Sequence, residues 1–154
     1  MLGSPILDHT AARTPSLDLR RGVRRDFAER LVERAKHLPE PDRYLIEGVF
    51  RDGRSIAELS AMWGEHPERG RSPKALRRRL HRLVDRLNSP RYLFVAEYRD
   101  RWAPTRRRVA TACVLHGMSL REAAEALGTS LHTVRRHFDA VSEIVEAMRG
   151  GVVS

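Results

Sequence analysis

Apolar residues recur along this chain at helical spacing, and nowhere do they alternate as a strand facing a core would require. From Ser16 the stripe is Val23, Phe27 and Leu31, at i, i+4 and i+8, with arginines and acids between. "LPEPD" at 38–42 closes that helix and opens another, because Pro41 is tolerated only in a first turn. The second helix carries Leu45, Val49 and Phe50 and stops at Gly53. Ser55 starts a third, and Glu58 three residues on completes the spacing of a capping box. Ser72-Pro73 starts a fourth, which runs to "NSP" at 88–90. A connecting helix follows, with Leu93, Phe94, Tyr98 and Trp102 expected inward, and Ala103-Pro104 breaks it. Three more helices are predicted at about 105–116, 119–127 and 130–148, with Gly150-Gly151 ending the last. Residues 1–15 hold glycine, serine and two prolines without periodicity and read as a mobile tail.

The helices repeat. At an offset of 64, Arg43 falls on Arg107, Gly53 on Gly117, Ser55 on Ser119, Glu58 on Glu122 and Gly64 on Gly128. Past that glycine the offset becomes 58, so Ser72 falls on Ser130, Leu76 on Val134 and Leu80 on Phe138. Leu83 and Leu87 then match Val141 and Val145, which continue one helical stripe in each copy. The six-residue difference is an insertion in the first copy's turn, "EHPERGR". Three helices with a glycine-containing turn before the third describe a helix-turn-helix unit. The expected architecture is all-α, with two tandem trihelical helix-turn-helix units joined by a connecting helix. The first unit, with an extra N-terminal helix, takes residues 16–88; the connector takes 89–103 and the second unit 104–149. Units of this size bury little surface alone, so they are expected to lean on shared or flanking helices.

Charge adds a partner class. The 154-residue chain carries a formal net charge of +9. Between Glu65 and Arg91 nine basic residues face three acidic ones, so +6 of that charge lies in one stretch. Such a local excess points to a polyanion, double-stranded DNA first. With Val134, Phe138, Val141 and Val145 inward, the last helix turns His132 and Arg136 outward, with Thr133 and Arg135 on the flanks. Arginine can pair bidentately with guanine, and threonine can bond a base edge or pack on a thymine methyl. Ser130 and the helix-start amides suit a phosphate. Asp139 and Glu143, further along, would repel the DNA backbone, so only the first two turns should approach a groove. In the first copy Lys74, Arg77, Arg78 and His81 point outward, flanked by Arg79 and Arg82. That face suits phosphate neutralisation more than base reading.

The run "LREAAEALGTSLHTVRRHF" resembles region four of the bacterial sigma factors, and equally the C-terminal domain of LuxR-type response regulators. Glu122, Ala123, Ala124, Leu127, Gly128, Ser130, Thr133, Val134 and Arg135 follow the pattern of those families in order. Upstream, "PTRRRVATACVLHGMS" is similar to the first scaffold helix, and "SPKALRRRLHRL" to a recognition helix. The resemblance covers roughly 38–87 and 104–145. It implies that Thr133, Arg135 and Arg136 sit at or near the DNA face, that Ser130 caps the recognition helix, and that the setting is transcriptional.

Other chemistry is not indicated. His132 and His137 fall on different faces, no Cys/His or carboxylate grouping has metal-ligand spacing, and no phosphate-binding glycine loop occurs. Cys113 reads as a core residue beside Val109, and Trp63 and Trp102 as core anchors. The expectation is a non-enzymatic DNA-binding regulator without a cofactor. A single cysteine fits the cytoplasm, and no apolar run approaches the roughly 20 residues of a membrane span. A second reading is an interaction module, docking on RNA polymerase or on a homologous chain, a homodimer included, through the mixed-charge second unit. A third is a DNA-site-binding protein of a phage or transposon.

Overall fold

The computed structural model describes residues 22–67 and 69–153, with side chains through Gly150. The tail expected at 1–15, and the first residues of the helix expected from Ser16, lie outside these. The described chain is all-α. Its helices are α1 (22–34), α2 (Glu40–Ile46), α3 (Ile56–Trp63), α4 (Pro73–Leu87), α5 (Pro90–Tyr98), α6 (Pro104–Ala110), α7 (Leu120–Leu127) and α8 (Leu131–Val153).

The repeat is built into the backbone. Both α2 and α6 end in a widened turn, Glu47–Arg51 and Thr111–Leu115, in which hydrogen bonds close over five residues. The Asp52 amide donates to Glu47 at 3.0 Å, and the His116 amide to Thr111 at 2.9 Å. Each copy then reverses at a left-handed glycine, Gly53 (φ 68°) and Gly117 (φ 70°). Ser55 with Glu58, and Ser119 with Glu122, form reciprocal capping boxes that start α3 and α7. Ser72 caps α4 by accepting from the Ala75 amide at 3.2 Å. Ser130 caps α8 by accepting from the Thr133 amide at 3.1 Å.

One large apolar cluster joins the halves. It gathers Leu31, Leu45, Ile46, Leu59, Leu76, Leu83 and Leu87 with Tyr92 and Val95 of α5. Leu115, Val141 and Val145 complete it from the second half. A smaller cluster of Val109, Ala112, Ala123 and Val134 lies inside the second half. Each fully buried large side chain contributes roughly 1.5–3 kcal/mol, so the shared cluster dominates the packing. The joint is close: a Cβ at Gly117 would fall 2.1 Å from Nη2 of Arg86, a residue of α4. The connector is fixed to the first half as well: the Tyr92 hydroxyl donates to the Arg34 carbonyl at the end of α1.

Three expectations are corrected. The expected inward set of α5 omits its fully buried residues, Tyr92 and Val95; Leu93, Phe94 and Trp102 are half-buried and packed against the same cluster, and Tyr98 is half-buried. The connector packs against α4 on one side and against α8 and the turn after α6 on the other, so its most buried residues are set by both halves together. On α1 only Leu31 is buried; Val23 and Phe27 are 65% and 36% exposed, Phe27 meeting Phe50 edge-on. Gly150-Gly151 do not end α8, which runs to Val153. Glycine costs about 1 kcal/mol within a helix but does not forbid one.

Candidate nucleic-acid interface

At the start of α8 the backbone turns at Gly128 in the left-handed conformation, and the Thr129 amide bonds back to Ala124 at 3.1 Å. This compact exit leads directly to the Ser130 cap. The Ser130 hydroxyl also donates to Thr133 Oγ1 at 2.9 Å, so the two side chains brace each other. Val134 is fully buried beneath them, which forces its neighbours outward. His132, Arg135 and Arg136 are exposed, and Thr133 is half-buried. Neither guanidinium group has an ion-pair partner among the described residues. Asp139 and Glu143 are exposed further along the helix.

On α4, Lys74, Arg77, Arg78, His81 and Arg82 are exposed over the buried stripe of Leu76, Leu83 and Leu87. None of these five forms an ion pair among the described residues. Arg79 departs from the expectation of a free flanking cation. Its Nε donates to Oδ1 of Asp42 at 2.5 Å, and Asp42 is 2% exposed. A carboxylate that deep needs a paired donor, so Arg79 is tied to α2, though its guanidinium keeps 44% exposure. The start of α4 differs from that of α8. Gly64 (φ 46°, ψ −116°) is not in the compact left-handed form, and the inserted turn folds back on its own half. Arg69 of that turn pairs with Glu40 at 3.5 Å and stacks on Tyr44, and the Ser60 hydroxyl holds the Arg71 carbonyl at 2.9 Å.

A second set of cations lies outside the expected interface, in "PTRRR" at 104–108, the start of the helix that resembles a scaffold: Arg106 and Arg107 are half-buried and Arg108 exposed, and none is ion-paired among the described residues. The repeat held the signal. Arg106 falls on Asp42, and His137 falls on Arg79, so the ion pair of the first half becomes two bases in the second. Arg106 Nε and His137 Nδ1 are both buried and lack a hydrogen-bond partner. Burial first, then the charges of Arg106 and Arg136, lowers the pKa of His137.

His37 and His116 lie at the joint of the halves. Burial lowers the pKa of both, and nearby Arg99 acts in the same direction. A bond to the His37 backbone partly offsets this for His116. Cys113 packs against the smaller cluster, where burial raises its thiol pKa. Among the described residues, no three histidine, cysteine or acidic side chains are grouped as metal ligands. No helix there is long and apolar enough to cross a membrane.

No protein family, curated protein or solved structure matches this chain.

Proposed function

We propose that the chain is a double-stranded-DNA-binding transcriptional regulator built of tandem helix-turn-helix units, the second reading bases and the first gripping phosphates. The carrying observation is the exposed, unpaired pair Arg135 and Arg136 above buried Val134, at the start of a braced and capped helix. A helix start so arranged can insert its first two turns into a major groove, where guanidinium forks pair with guanine. The α4 face, with Lys74, Arg77, Arg78 and Arg82 exposed against one exposed acid, Asp85, near its end, adds sequence-independent affinity through counterion release. Its inserted turn keeps α4 from presenting its start as α8 does. Selection of bound duplexes from a random pool, at two salt concentrations, tests the reading. A single enriched motif whose binding weakens steeply with salt is the expected result. A flat pool beside a stable complex with another protein would overturn it.

A second reading has its own observation. Leu93, Phe94 and Tyr98 of α5 and Val145 and Met148 of α8 line an apolar groove of about 790 Å³, edged by Glu97, Glu146 and Arg149. Such a groove suits an amphipathic helix of RNA polymerase or of a homologous chain. Light scattering of the pure protein, and pull-down with polymerase, separate those two occupants.

A further inference from the structure

The repeat puts two pockets at equivalent places, with inverted chemistry. In the first half a pocket of about 130 Å³ is lined by Tyr44, Glu47, Asp52, Arg54, Met62 and Trp63, among others. Shifted by 64, these positions are Arg108, Thr111, His116, Met118, Ala126 and Leu127. All six line a pocket of about 400 Å³ in the second half.

The first pocket is filled from within. Arg51 pairs with Glu47 at 2.9 Å and with Asp52 at 3.1 Å, and Arg43 reaches Glu47 at 3.8 Å. Arg69, from the inserted turn, sets its guanidinium 4.1 Å from the Tyr44 ring centroid. An acidic, aromatic cleft thus holds the chain's own cations. In the second half Thr111 and His116 replace the two carboxylates, and Ala126 and Leu127 replace Met62 and Trp63, which widens the space. The second copy has no inserted turn to supply a counterpart of Arg69. Instead Arg99, Arg107 and Arg108 line the pocket, with Asp100 as its single carboxylate. None of these arginines has an ion-pair partner among the described residues. Arg99 is already oriented: Nη1 donates to Thr111 Oγ1 at 3.0 Å, and Nη2 lies 3.4 Å from His37 Nδ1.

We propose that this second pocket binds the phosphoryl group of a phosphate ester, its apolar floor favouring an ester whose organic part is small and apolar or aromatic. Three guanidinium groups around one concavity repel each other until an anion relieves them, and their planar forks match phosphate oxygens bidentately. Ala112, Met118, Ala126 and Leu127 supply the apolar floor. The site does not depend on the DNA reading, because it stands on the comparison of the two pockets. Since Arg99 ties His37 of the first half to Thr111 of the second, a ligand pulling on it acts at the joint. The phosphoryl group has two sources, a free phosphorylated small molecule or the backbone of a bound duplex.

The experiment titrates the isotope-labelled full chain with inorganic phosphate and with phenyl phosphate, at constant ionic strength and with chloride as control. Saturable movement of the Met118, Ala126 and Leu127 amide signals is expected, with phenyl phosphate binding roughly tenfold more tightly as its ring covers the floor. The double variant R107Q/R108Q should lose roughly tenfold or more in affinity. T111E, which restores the carboxylate of the first half, should abolish binding while the amide spectrum outside the pocket stays that of the folded chain; should T111E misfold, R108Q alone, at an exposed position, should still weaken phenyl phosphate roughly threefold or more. If a duplex displaces phenyl phosphate, and R107Q/R108Q flattens the salt dependence of duplex binding, the source is the DNA backbone. If both bind together, it is a free ligand. Shifts confined to α4, or undiminished binding by R107Q/R108Q, would overturn the site.

Discussion

The two halves share a backbone and differ in where its carboxylates stand. Widened turn, left-handed glycine, capping box and serine-capped third helix recur at fixed offsets. Yet Asp42, Glu47 and Asp52 of the first half stand where the second has Arg106, Thr111 and His116. The first half neutralises part of its basic surface internally, through Arg79 on Asp42 and Arg51 on Glu47. The second leaves Arg106, Arg107 and Arg108 without carboxylate partners among the described residues. Backbone-directing residues preserve a fold, while the charges around it are free to diverge, because exposed charges contribute little to stability. A duplicated fold therefore need not mean a duplicated function.

The largest test concerns how independent the halves are. Leu115→Ala opens the shared cluster and should cost about 2–5 kcal/mol, melting both halves together. Val134→Ala touches only the smaller cluster and should cost roughly 2 kcal/mol, confined to the second half. Amide exchange reads the difference: after Val134→Ala, amides of α2 should keep their protection. Equal loss in both halves would erase the distinction between the clusters.

The next asks whether the Asp42–Arg79 pair is structural. Arg79→Ala strands a buried carboxylate and should destabilise by about 2–3 kcal/mol, less than a fully buried pair because the guanidinium is 44% exposed. His137→Ala, at the matching position, leaves no such charge, and its urea midpoint should move much less. A comparable shift in both would show that the charge contrast has no energetic consequence.

DNA binding sharpens the comparison from the other side. Arg135→Ala with Arg136→Ala should relax sequence preference at a cost of about 1–3 kcal/mol per base contact. Arg77→Ala with Arg78→Ala should weaken binding to every sequence and flatten its salt dependence. Measured affinities for a selected and a scrambled duplex distinguish the two. If the α8 variants left preference untouched, the assignment of the reader would be wrong.

The smallest effect is in pH. His37, His116 and His137 have folded-state pKa values lowered from about 6.5, mainly by burial. As pH falls through the unfolded value, the unfolded chain takes up protons that the folded chain refuses, so stability should fall on acidification below about pH 6.5. It should be fully present above that value. His116→Gln should shallow the decline in melting temperature between pH 6.5 and 5; an unchanged decline would mean that its burial has no consequence for stability.

Helical spacing, the proline and glycine stops, and the serine–glutamate pairs were enough to read an all-helical chain, its eight described helices to within a few residues, and the repeat. These signals are local, each acting within a turn of itself. The outward positions of His132, Arg135 and Arg136 were legible for the same reason, since a buried Val134 fixes where its neighbours point. What a helix packs against was not legible. Tyr92 and Val95 are the fully buried residues of α5 because α5 lies between two halves, and Val23 and Phe27 stay exposed because the packing reaches only to Leu31. Asp42 and Arg79 stand far apart in sequence, and only the folded chain brings α2 against α4 and turns an apparent surface cation into a structural one. The inverted pockets likewise depend on residues from several segments meeting at one place. Periodicity governs a helix from within; long-range packing decides which of its charges remain free.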